Sequence, residues 1–386
     1  MKTLFVAGRN QALAKAETLS FFERQGNPAK GISAEQNAFL LETDREPDAK
    51  KTIKALGSTI AIGKELCSGP LEEIEKFIEE REVYFGEKNN FTYSLMEFAD
   101  EESASAVLGA LRQKFKSEKT KARFKAMRGT ILTQEGGVIA GTPSKASATD
   151  ATFFLFKSGN ALSFGFIEAF ADTKEAEQFD MGKPVRRESL AIPPRLAKAL
   201  VNLSQTRQGQ TILDPFCGIG IILQEAMLQG INVAGVDINS TAVSDARRNI
   251  EWLRKKYRAQ ANAKIMQGDA RDVSLQGIGG IATEPSLGAL LKNIPHKTEA
   301  LQMQARFETL MIAVLNNLKT ALNPGAKIAF TAPYINTGKQ RIGCDIQKIC
   351  AATHLKMREF GFNVKQPLRD YRPTQTVGRE IFVLEK

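Results

Sequence analysis

Short apolar runs alternate with longer amphipathic segments along the carboxy-terminal half of this chain. The runs at 211–214, 231–237 and 263–269 have the length of buried strands, and apolar residues recur at helical spacing over 219–228 and 241–256. Strands that alternate with helices of this length predict a mostly parallel sheet covered on both faces. Residues 191–386 are therefore predicted to form a Rossmann-like α/β domain.

The end of the chain extends the same pattern. Apolar runs at 279–284 and 327–332 are separated by a helical segment at 298–322. The last two runs, 362–368 and 380–386, follow one another without an intervening helix. They are therefore predicted to pair as an antiparallel hairpin.

The amino-terminal half has a different order of elements, which predicts an α+β architecture. It begins with a strand, a helix and a strand, and continues with helical segments at 48–57 and 68–82, a strand at 91–99, a helix at 103–124 and short strands over 130–162. We place an α+β module at 1–70, a second α+β domain at 71–168 and a polar linker at 169–190.

Size and composition favour a soluble multidomain protein. A chain of 386 residues exceeds the size at which one hydrophobic core keeps growing. No apolar run approaches the roughly 18 residues of a membrane span, and no secretory signal is apparent, so we expect a cytoplasmic protein. The four cysteines form no CxxC or Cys/His cluster, and only two histidines are present, so no metal site is predicted.

A formal charge of +10 raises the expectation of a polyanionic partner. The most basic window is 112–128, where eight basic residues face one acid, Glu118. Such a run is often only a solvated helix face, but it is also a candidate RNA-binding surface. The candidate RNA contacts are Arg112, Lys114, Lys119, Lys121, Arg123, Lys125 and Arg128.

A glycine-containing turn between the first strand and the first helix of the α/β domain is the strongest candidate for ligand binding. The segment from Asp214 to Gly220 reads Asp-Pro-Phe-Cys-Gly-Ile-Gly, so Phe216 lies within the turn, and Gly218 allows the backbone to approach a ligand closely. A lone Gly-x-Gly is weak evidence. Here a strand and a helix flank it, as binding of a nucleoside cofactor requires.

Two carboxylates at the ends of the next strands complete the predicted pocket. Asp237 ends the second strand, where a carboxylate can accept both ribose hydroxyls of a nucleoside. Asp269 ends the third strand, where it can accept from the exocyclic amine of adenine. Ile238 and Ala270 follow these acids and are assigned to the same pocket. Taken alone, Asp237 could be a helix N-cap and Asp269 an ordinary turn residue.

Several of these segments resemble a known family. LDPFCGIGIILQEAMLQGINVAGVDIN, IPPRLAKALVNLS and IATEPSLG resemble methyltransferases that join a THUMP RNA-binding domain to a class I S-adenosylmethionine (SAM) domain. The likeness is strongest to the archaeal and eukaryotic tRNA guanosine-N2 methyltransferases that act at the tenth position. In the amino-terminal half it is carried mainly by FVAGRNQALAKAE and the order of elements, which implies a THUMP-like domain at 71–168 that binds tRNA.

The resemblance assigns roles to the pocket residues. It implies a seven-stranded class I methyltransferase domain in which Asp214 and the turn from Gly218 to Gly220 hold the methionine portion of SAM. Asp237 would then hold the ribose and Asp269 the adenine. The segment from Ser189 to Pro194 would close over the methionine end.

The amine-methylating motif of this family, Asp or Asn followed by two prolines and an aromatic, is altered in this chain. The fourth strand ends in Thr283-Glu284-Pro285-Ser286. Glu284 offers a carboxylate acceptor for the target amine, but Thr283 stands in the usual carboxylate position and Ser286 in the usual aromatic position. Base stacking on an aromatic ring contributes about 1–3 kcal/mol, so its loss is expected to slow the enzyme about tenfold or more unless another ring substitutes. Phe216 and Tyr334 are the candidates.

These observations predict a SAM-dependent methyltransferase that acts on the exocyclic N2 amine of a guanosine in tRNA. Two alternatives remain open: methylation of ribosomal RNA guanine or DNA adenine, and a catalytically weakened RNA-binding homologue. A nicotinamide dehydrogenase is disfavoured, because the turn lacks the Gly-x-Gly-x-x-Gly spacing. A monomer or small homo-oligomer is expected, and an accessory subunit remains open.

Overall fold

The computed structural model describes residues 1–127, 129–133, 137–142, 149–186, 192–288, 291 and 293–386. These residues form two compact units. The amino-terminal unit contains residues 1–11, 29–54 and 59–171, and the carboxy-terminal unit contains residues 12–28, 55–58 and 172–386.

The chain up to residue 171 forms ten described strands and four described helices. The strands are β1 (Lys2–Ala7), β2 (Gly31–Glu35), β3 (Ala38–Glu42), β4 (Thr59–Gly69), β5 (Asn90–Phe98), β6 (Lys121–Phe124), β7 (Gly129–Leu132), β8 (Val138–Thr142), β9 (Ala151–Ser158) and β10 (Ala161–Phe170). The helices are α1 (Gln11–Arg24), α2 (Ala49–Ala55), α3 (Leu71–Glu80) and α4 (Glu101–Ser117).

The amino-terminal unit is built on a mixed sheet. Eight of its described strands follow one another in the order β2-β3-β1-β4-β10-β9-β5-β6, and β7 pairs with β8 separately. Apolar residues of α3 and α4, among them Ile74, Val107 and Phe115, pack with Tyr93 and Phe153 of the sheet. The unit is therefore α+β, as predicted.

The sheet does not stop at residue 70, where the sequence analysis placed a domain boundary. Strand β4, which was not predicted, pairs with β1 on one side and with β10 on the other. Residues on both sides of position 70 therefore share one sheet. The division of this half into modules at 1–70 and 71–168 was wrong, because the pairing of β4 with a strand about a hundred residues away leaves no local signal.

The basic window is not one helix. The helix predicted over 103–124 ends at Ser117, and Lys119 adopts a left-handed conformation with a φ of +55°. Residues 121–124, Lys-Ala-Arg-Phe, alternate in polarity and form β6, which pairs in parallel with β5 at the edge of the sheet. Alternation of polar and apolar residues over four positions is typical of a strand, and the predicted helix over 103–124 did not take it into account.

Helix α1 packs in the carboxy-terminal unit, although the strands that flank it in sequence belong to the other unit. The carboxylate of Glu17 is fully buried. It accepts hydrogen bonds from the backbone N–H of Gly57 at 2.6 Å and from Nδ2 of Asn202 at 2.7 Å. A buried carboxylate requires such donors, so these contacts fix α1 in this unit.

The rest of the carboxy-terminal unit alternates helices and strands. Its helices are α5 (Thr173–Met181), α6 (Pro194–Leu203), α7 (Ile221–Leu228), α8 (Ser240–Tyr257), α9 (Lys297–Leu318) and α10 (Ile346–Thr353). Its strands are β11 (Thr211–Asp214), β12 (Asn232–Asp237), β13 (Ala263–Gln267), β14 (Ile278–Thr283), β15 (Leu322–Asn336), β16 (Arg341–Ile342), β17 (Lys356–Met357), β18 (Leu368–Asp370) and β19 (Val377–Glu385).

Seven strands of this unit lie in the order β13-β12-β11-β14-β15-β19-β17, with β16 and β18 attached at its side. The first five are parallel, and β19 is antiparallel to β15. Apolar residues of α9, including Met311 and Leu315, pack with Ile281, Phe330 and Phe382 of the sheet. This topology confirms the predicted seven-stranded α/β fold. It also brings the carboxyl ends of β11 to β14 to one edge, where ligands bind in such sheets.

Two local predictions need correction. The segment 169–190 was predicted to be a linker, but it contains helix α5, whose Phe179 packs against Trp252 of α8. The closing hairpin exists, but its first strand is β18 at Leu368–Asp370, so most of the predicted run at 362–368 lies outside it.

No helix among the described residues is both long enough and apolar enough to cross a membrane.

Candidate active site

The turn after β11 has the left-handed backbone that its glycines suggested. Gly218 has a φ of +51° and Gly220 a φ of +81°, and Gly220 is the N-cap of α7. A Cβ added at Gly218 would meet no atom within 4 Å, whereas one at Gly220 would lie 3.4 Å from Cβ of Ala246. Gly218 therefore leaves open space beside the turn, and Gly220 allows close packing of α7 against α8.

Asp237, at the end of β12, organises this turn. Its Oδ2 accepts from the backbone N–H of Gly218 at 2.9 Å, and its Oδ1 accepts from that of Asn239 at 2.9 Å. The N-cap of α8 is Asn239, whose side chain accepts from the backbone N–H of Thr241. The helix-capping alternative for Asp237 is thus wrong. The carboxylate instead faces the glycine turn of the neighbouring strand.

Ile238, the next residue, presents an apolar side chain to solvent. It is 69% exposed, which is unusual for a large aliphatic residue directly after a buried strand. A carboxylate with remaining acceptor capacity can accept from the ribose hydroxyls of a nucleoside. The exposed apolar side chain next to it can pack against the base. The residues at this edge therefore fit the nucleoside portion of SAM.

Asp269 follows β13 and is paired with Arg271. The Arg271 Nε donates to Oδ1 at 3.0 Å, and its Nη2 donates to Oδ2 at 2.5 Å. These hydrogen bonds lower the pKa of Asp269 to about 2, so its carboxylate stays ionised. Ala270 is buried, and its carbonyl accepts from Nδ2 of Asn317. Any contact of Asp269 with an adenine amine must share oxygens that Arg271 already occupies.

Asp214 and Thr283 join the ends of two neighbouring strands, β11 and β14. The Thr283 hydroxyl donates to Oδ1 of Asp214 at 2.7 Å, and the backbone N–H of Phe216 donates to the same oxygen at 3.2 Å. Both side chains are almost fully buried. Burial raises the pKa of Asp214 to about 7, against the effect of these two hydrogen bonds. The candidate catalytic strand end is thereby linked directly to the glycine turn.

Glu284 is held by residues that the sequence analysis did not single out. Arg379 of β19 donates from Nε to Oε2 at 2.6 Å and from Nη2 to Oε1 at 3.0 Å. Thr331 of β15 donates to Oε2 at 3.2 Å. Both members of the ion pair are largely buried, with side-chain exposures of 11% for Glu284 and 15% for Arg379. The carboxylate therefore has one fixed orientation.

The remaining two residues of this segment differ in exposure. Pro285 is buried, whereas Ser286 is exposed and its Oγ accepts from the backbone N–H of Gly288 at 3.4 Å. No ring is present at Ser286. Ser286 therefore occupies the usual aromatic position of the motif but provides no ring for stacking on a base.

The two candidate replacement rings lie in different surroundings. Tyr334 is three residues beyond Thr331 on β15, so the alternation of side chains places it on the opposite face of the sheet from Glu284. There its ring is 5.4 Å from that of Tyr371, and Arg369 lies over it at 4.8 Å. Phe216, in the glycine turn, is only half-buried. This placement favours Phe216 over Tyr334 as a stacking surface.

The other predicted cofactor residue, Pro194, is the first residue of α6. The predicted closing segment begins at Ser189, which lies outside the described residues, as does Arg128 of the basic window.

The basic window is largely solvent-exposed, with one exception. Lys119, Lys121, Arg123 and Lys125 are exposed, as is Arg112, whose guanidinium lies 5.8 Å from the ring centre of Phe124. Lys114 is different, because its side chain is only 10% exposed, pairs with Glu118 at 3.1 Å and donates to the carbonyl of Glu79. Its surroundings indicate a structural role for Lys114.

Three residues that contact the predicted site residues were not predicted from the sequence: Arg271, Thr331 and Arg379. Arg271 lies two residues after Asp269, so their ion pair could have been predicted from the sequence. Thr331 and Arg379 contact Glu284 only because β14 neighbours β15 and β15 neighbours β19. No spacing signal along the chain could have identified them.

Comparisons with known proteins agree with this architecture. Residues 184–336 match the family of RMKL-like methyltransferase domains. The tRNA (guanine(10)-N2)-dimethyltransferase of Methanothermobacter thermautotrophicus is 32% identical over 162 residues, which are 41% of this chain and 44% of that protein. The enzyme of the same name from Pyrococcus abyssi is 39% identical over 119 residues, which are 29% of this chain and 34% of that protein.

A similar fold is also found among solved structures. TrmN from Thermus thermophilus matches with a TM-score of 0.52 at 16% identity, covering all of both chains. The resemblance to class I methyltransferases is confirmed, and the carboxy-terminal unit has the fold of these enzymes. The matched region spans less than half the length of the two curated relatives.

Proposed function

We propose that this chain transfers a methyl group from SAM to the exocyclic N2 amine of a guanosine in tRNA. The observation that carries this proposal is the hydrogen bond between Thr283 and Asp214, which joins the end of β14, the candidate catalytic segment, to the candidate cofactor turn after β11. The two curated relatives named as tRNA (guanine(10)-N2)-dimethyltransferases support the choice of substrate.

The residues at the carboxyl edge of the sheet divide into two functions. Asp237, Ile238 and Asp269 would hold the nucleoside portion of SAM, and the turn from Gly218 to Gly220 its methionine portion. When bound, SAM supplies the electrophilic methyl group. The end of β14 would face the target base through Glu284, whose carboxylate would accept a hydrogen from the amine and so orient the nitrogen lone pair.

A target base can enter this site only after it leaves the RNA stack, which costs a few kcal/mol and requires a separate surface that holds the substrate. We propose that the amino-terminal unit is this surface and that it acts as a THUMP-type RNA-binding domain. The exposed cations around β6 and the net charge of +10 support this role. The enzyme would act in the cytoplasm.

Neutralising Lys119, Lys121 and Arg123 to glutamine is expected to weaken tRNA binding about tenfold or more at moderate salt. Each lost phosphate contact should reduce the slope of log affinity against log salt by about 1. Filter binding over a salt series would measure both quantities. A matched control removes the same charge at Lys50, Lys51 and Lys54 of α2, and an equal effect in both triple variants would contradict a specific role for β6.

The activity itself is tested by incubating the purified chain with labelled SAM and unmodified transfer RNA, followed by nucleoside analysis. We expect label in N2-methylguanosine. Because a hydrogen bond to a charged group contributes about 1.5–3 kcal/mol, Glu284→Ala should lower the rate about 10- to 100-fold. Label in a different nucleoside, or only with ribosomal RNA or DNA, would replace the proposed substrate by one of those alternatives.

A catalytically weakened RNA-binding protein is the second candidate. It is favoured by two observations: Ser286 brings no ring to the site, and the hydroxyl of Thr283 is already donated to Asp214. Tight tRNA binding without any methyl transfer would support it. Turnover that depends on Glu284 would exclude it.

A further inference from the structure

We infer that Arg379 is a positioning residue that fixes the Glu284 carboxylate so that its Oε1 accepts a hydrogen from the target amine. The inference rests on the proposed function, since it assigns the acceptor within that site. It also adds a residue from β19, a strand outside the family motif.

Thr283 and Glu284 are the two side chains at the end of β14 that could accept a hydrogen from the amine. Thr283 stands in the usual acceptor position, but it is only 1% exposed and its hydroxyl donates inward to the buried Asp214. A hydroxyl in this orientation cannot reach a base at the edge of the sheet. Glu284 is the next residue and retains some exposure, so it is the carboxylate available at this edge.

The two oxygens of the Glu284 carboxylate differ in the number of hydrogen bonds that they accept. Each carboxylate oxygen can accept about two hydrogen bonds. Oε2 already accepts from Nε of Arg379 and from the hydroxyl of Thr331, whereas Oε1 accepts only from Nη2 of Arg379. Among the contacts of the described residues, Oε1 is therefore the oxygen with capacity for a further donor.

Arg379 is held in place by the pairing of β19 with β15. Arg379 of β19 pairs with Pro333 of β15. Pro333 is two positions from Thr331 on the same strand, so Arg379 and Thr331 lie on the same face of the sheet. Both donors to Glu284 thus project from one rigid pair of strands. A planar guanidinium that binds both oxygens fixes the rotation of the carboxylate as well as its position, which a single ammonium cannot do.

The test compares Arg379→Gln and Arg379→Lys with the unchanged chain in steady-state methyl transfer to unmodified transfer RNA. Loss of alignment should lower kcat about tenfold in Arg379→Gln, with the KM for tRNA and the dissociation constant for SAM within about twofold of the original values. Arg379→Lys keeps the charge but only one contact with the carboxylate, so its kcat should lie between that of Arg379→Gln and that of the unchanged chain.

Two further variants separate positioning from stability. Arg379→Gln leaves a largely buried carboxylate without its partner and could impair folding, so the neutral double variant Glu284→Gln/Arg379→Gln is included. If Arg379 acts through Glu284, the double variant should have the same kcat as Glu284→Gln alone. Arg369→Gln is the matched control, because Arg369 pairs with Glu380 on the neighbouring strand and should leave kcat unchanged.

The outcomes are distinct. A lower thermal midpoint for Arg379→Gln together with an unchanged kcat at low temperature would overturn the inference and reduce Arg379 to a structural role. An additional loss of kcat in the double variant beyond Glu284→Gln would also overturn it, because Arg379 would then act independently. Absence of methyl transfer by the unchanged chain would instead mean that the proposed function has failed.

Discussion

Replacement of Asp237 by alanine is expected to lower the affinity for SAM by at least about a hundredfold. Its carboxylate holds the backbone of Gly218 in the glycine turn and retains acceptor capacity on both oxygens for the ribose hydroxyls. Two hydrogen bonds to a charged group contribute about 3–6 kcal/mol together, and 1.4 kcal/mol corresponds to a factor of ten. Isothermal titration of the purified variant with SAM would measure the loss.

The control for this variant is Glu251→Ala. Glu251 is an exposed carboxylate on α8, about 16 Å along the helix from its amino terminus at a rise of 1.5 Å per residue. The Glu251→Ala variant loses the same charge from the same unit and should bind SAM with the affinity of the unchanged chain. Near-normal SAM affinity in Asp237→Ala would show that the nucleoside does not lie against β12, and the assignment of Ile238 would fail with it.

The succession of strands and helices around the candidate cofactor site was predictable because each element carries its own local signal. The runs that became β11, β12 and β13 are apolar, short and followed by helices with apolar residues at regular spacing. Parallel strands of this kind place their carboxyl ends at one edge. Acids that end two of them, Asp214 and Asp237, were therefore expected to meet there, and both lie beside the glycine turn.

The amino-terminal half was less predictable, because its elements are defined by distant partners. Strand β4 is recognisable only from its pairing with β1 and β10, and α1 packs with residues such as Asn202 that lie far along the chain. At Lys119 a single residue with positive φ ends the helical run. A basic composition gives no indication of such a change in backbone direction.

The chemistry of the candidate catalytic segment was predictable in part. The sequence identified Glu284 as the carboxylate and the absence of a ring at Ser286. It did not indicate that Arg379, 95 residues further on, donates one hydrogen bond to each oxygen of the Glu284 carboxylate. Residues on neighbouring strands meet only after the sheet has formed, so pairs across strands were not readable from spacing.

Asp214→Asn is expected to stabilise the protein above neutral pH by up to about 4 kcal/mol relative to the unchanged chain. Burial raises the pKa of Asp214 from its ordinary 3.8 to about 7, and the negative charges of Asp237 and Glu284 contribute to the rise. A pKa difference of one unit corresponds to 1.36 kcal/mol. The uncharged asparagine removes the cost of burying a charge, while its side-chain oxygen can still accept from Thr283.

The sign of the pH dependence follows from proton binding. Between pH 3.8 and about 7 the folded chain holds a proton on Asp214 that the unfolded chain has lost, so the stability from this group falls as the pH rises. It is fully present below pH 3.8 and lost by about pH 8. Urea denaturation from pH 4 to pH 9 should therefore show the Asp214→Asn curve separating upward from the original with increasing pH.

The matched control is Asp272→Asn, which removes the same charge at an exposed residue of the same unit. The difference between the two variants isolates the effect of burial from that of net charge. Parallel curves for Asp214→Asn and the unchanged chain would contradict the buried, largely protonated carboxyl below pH 7. A separation in the opposite direction would mean that Asp214 is stabilised as an anion, so that the hydrogen bonds from Thr283 and Phe216 outweigh its burial.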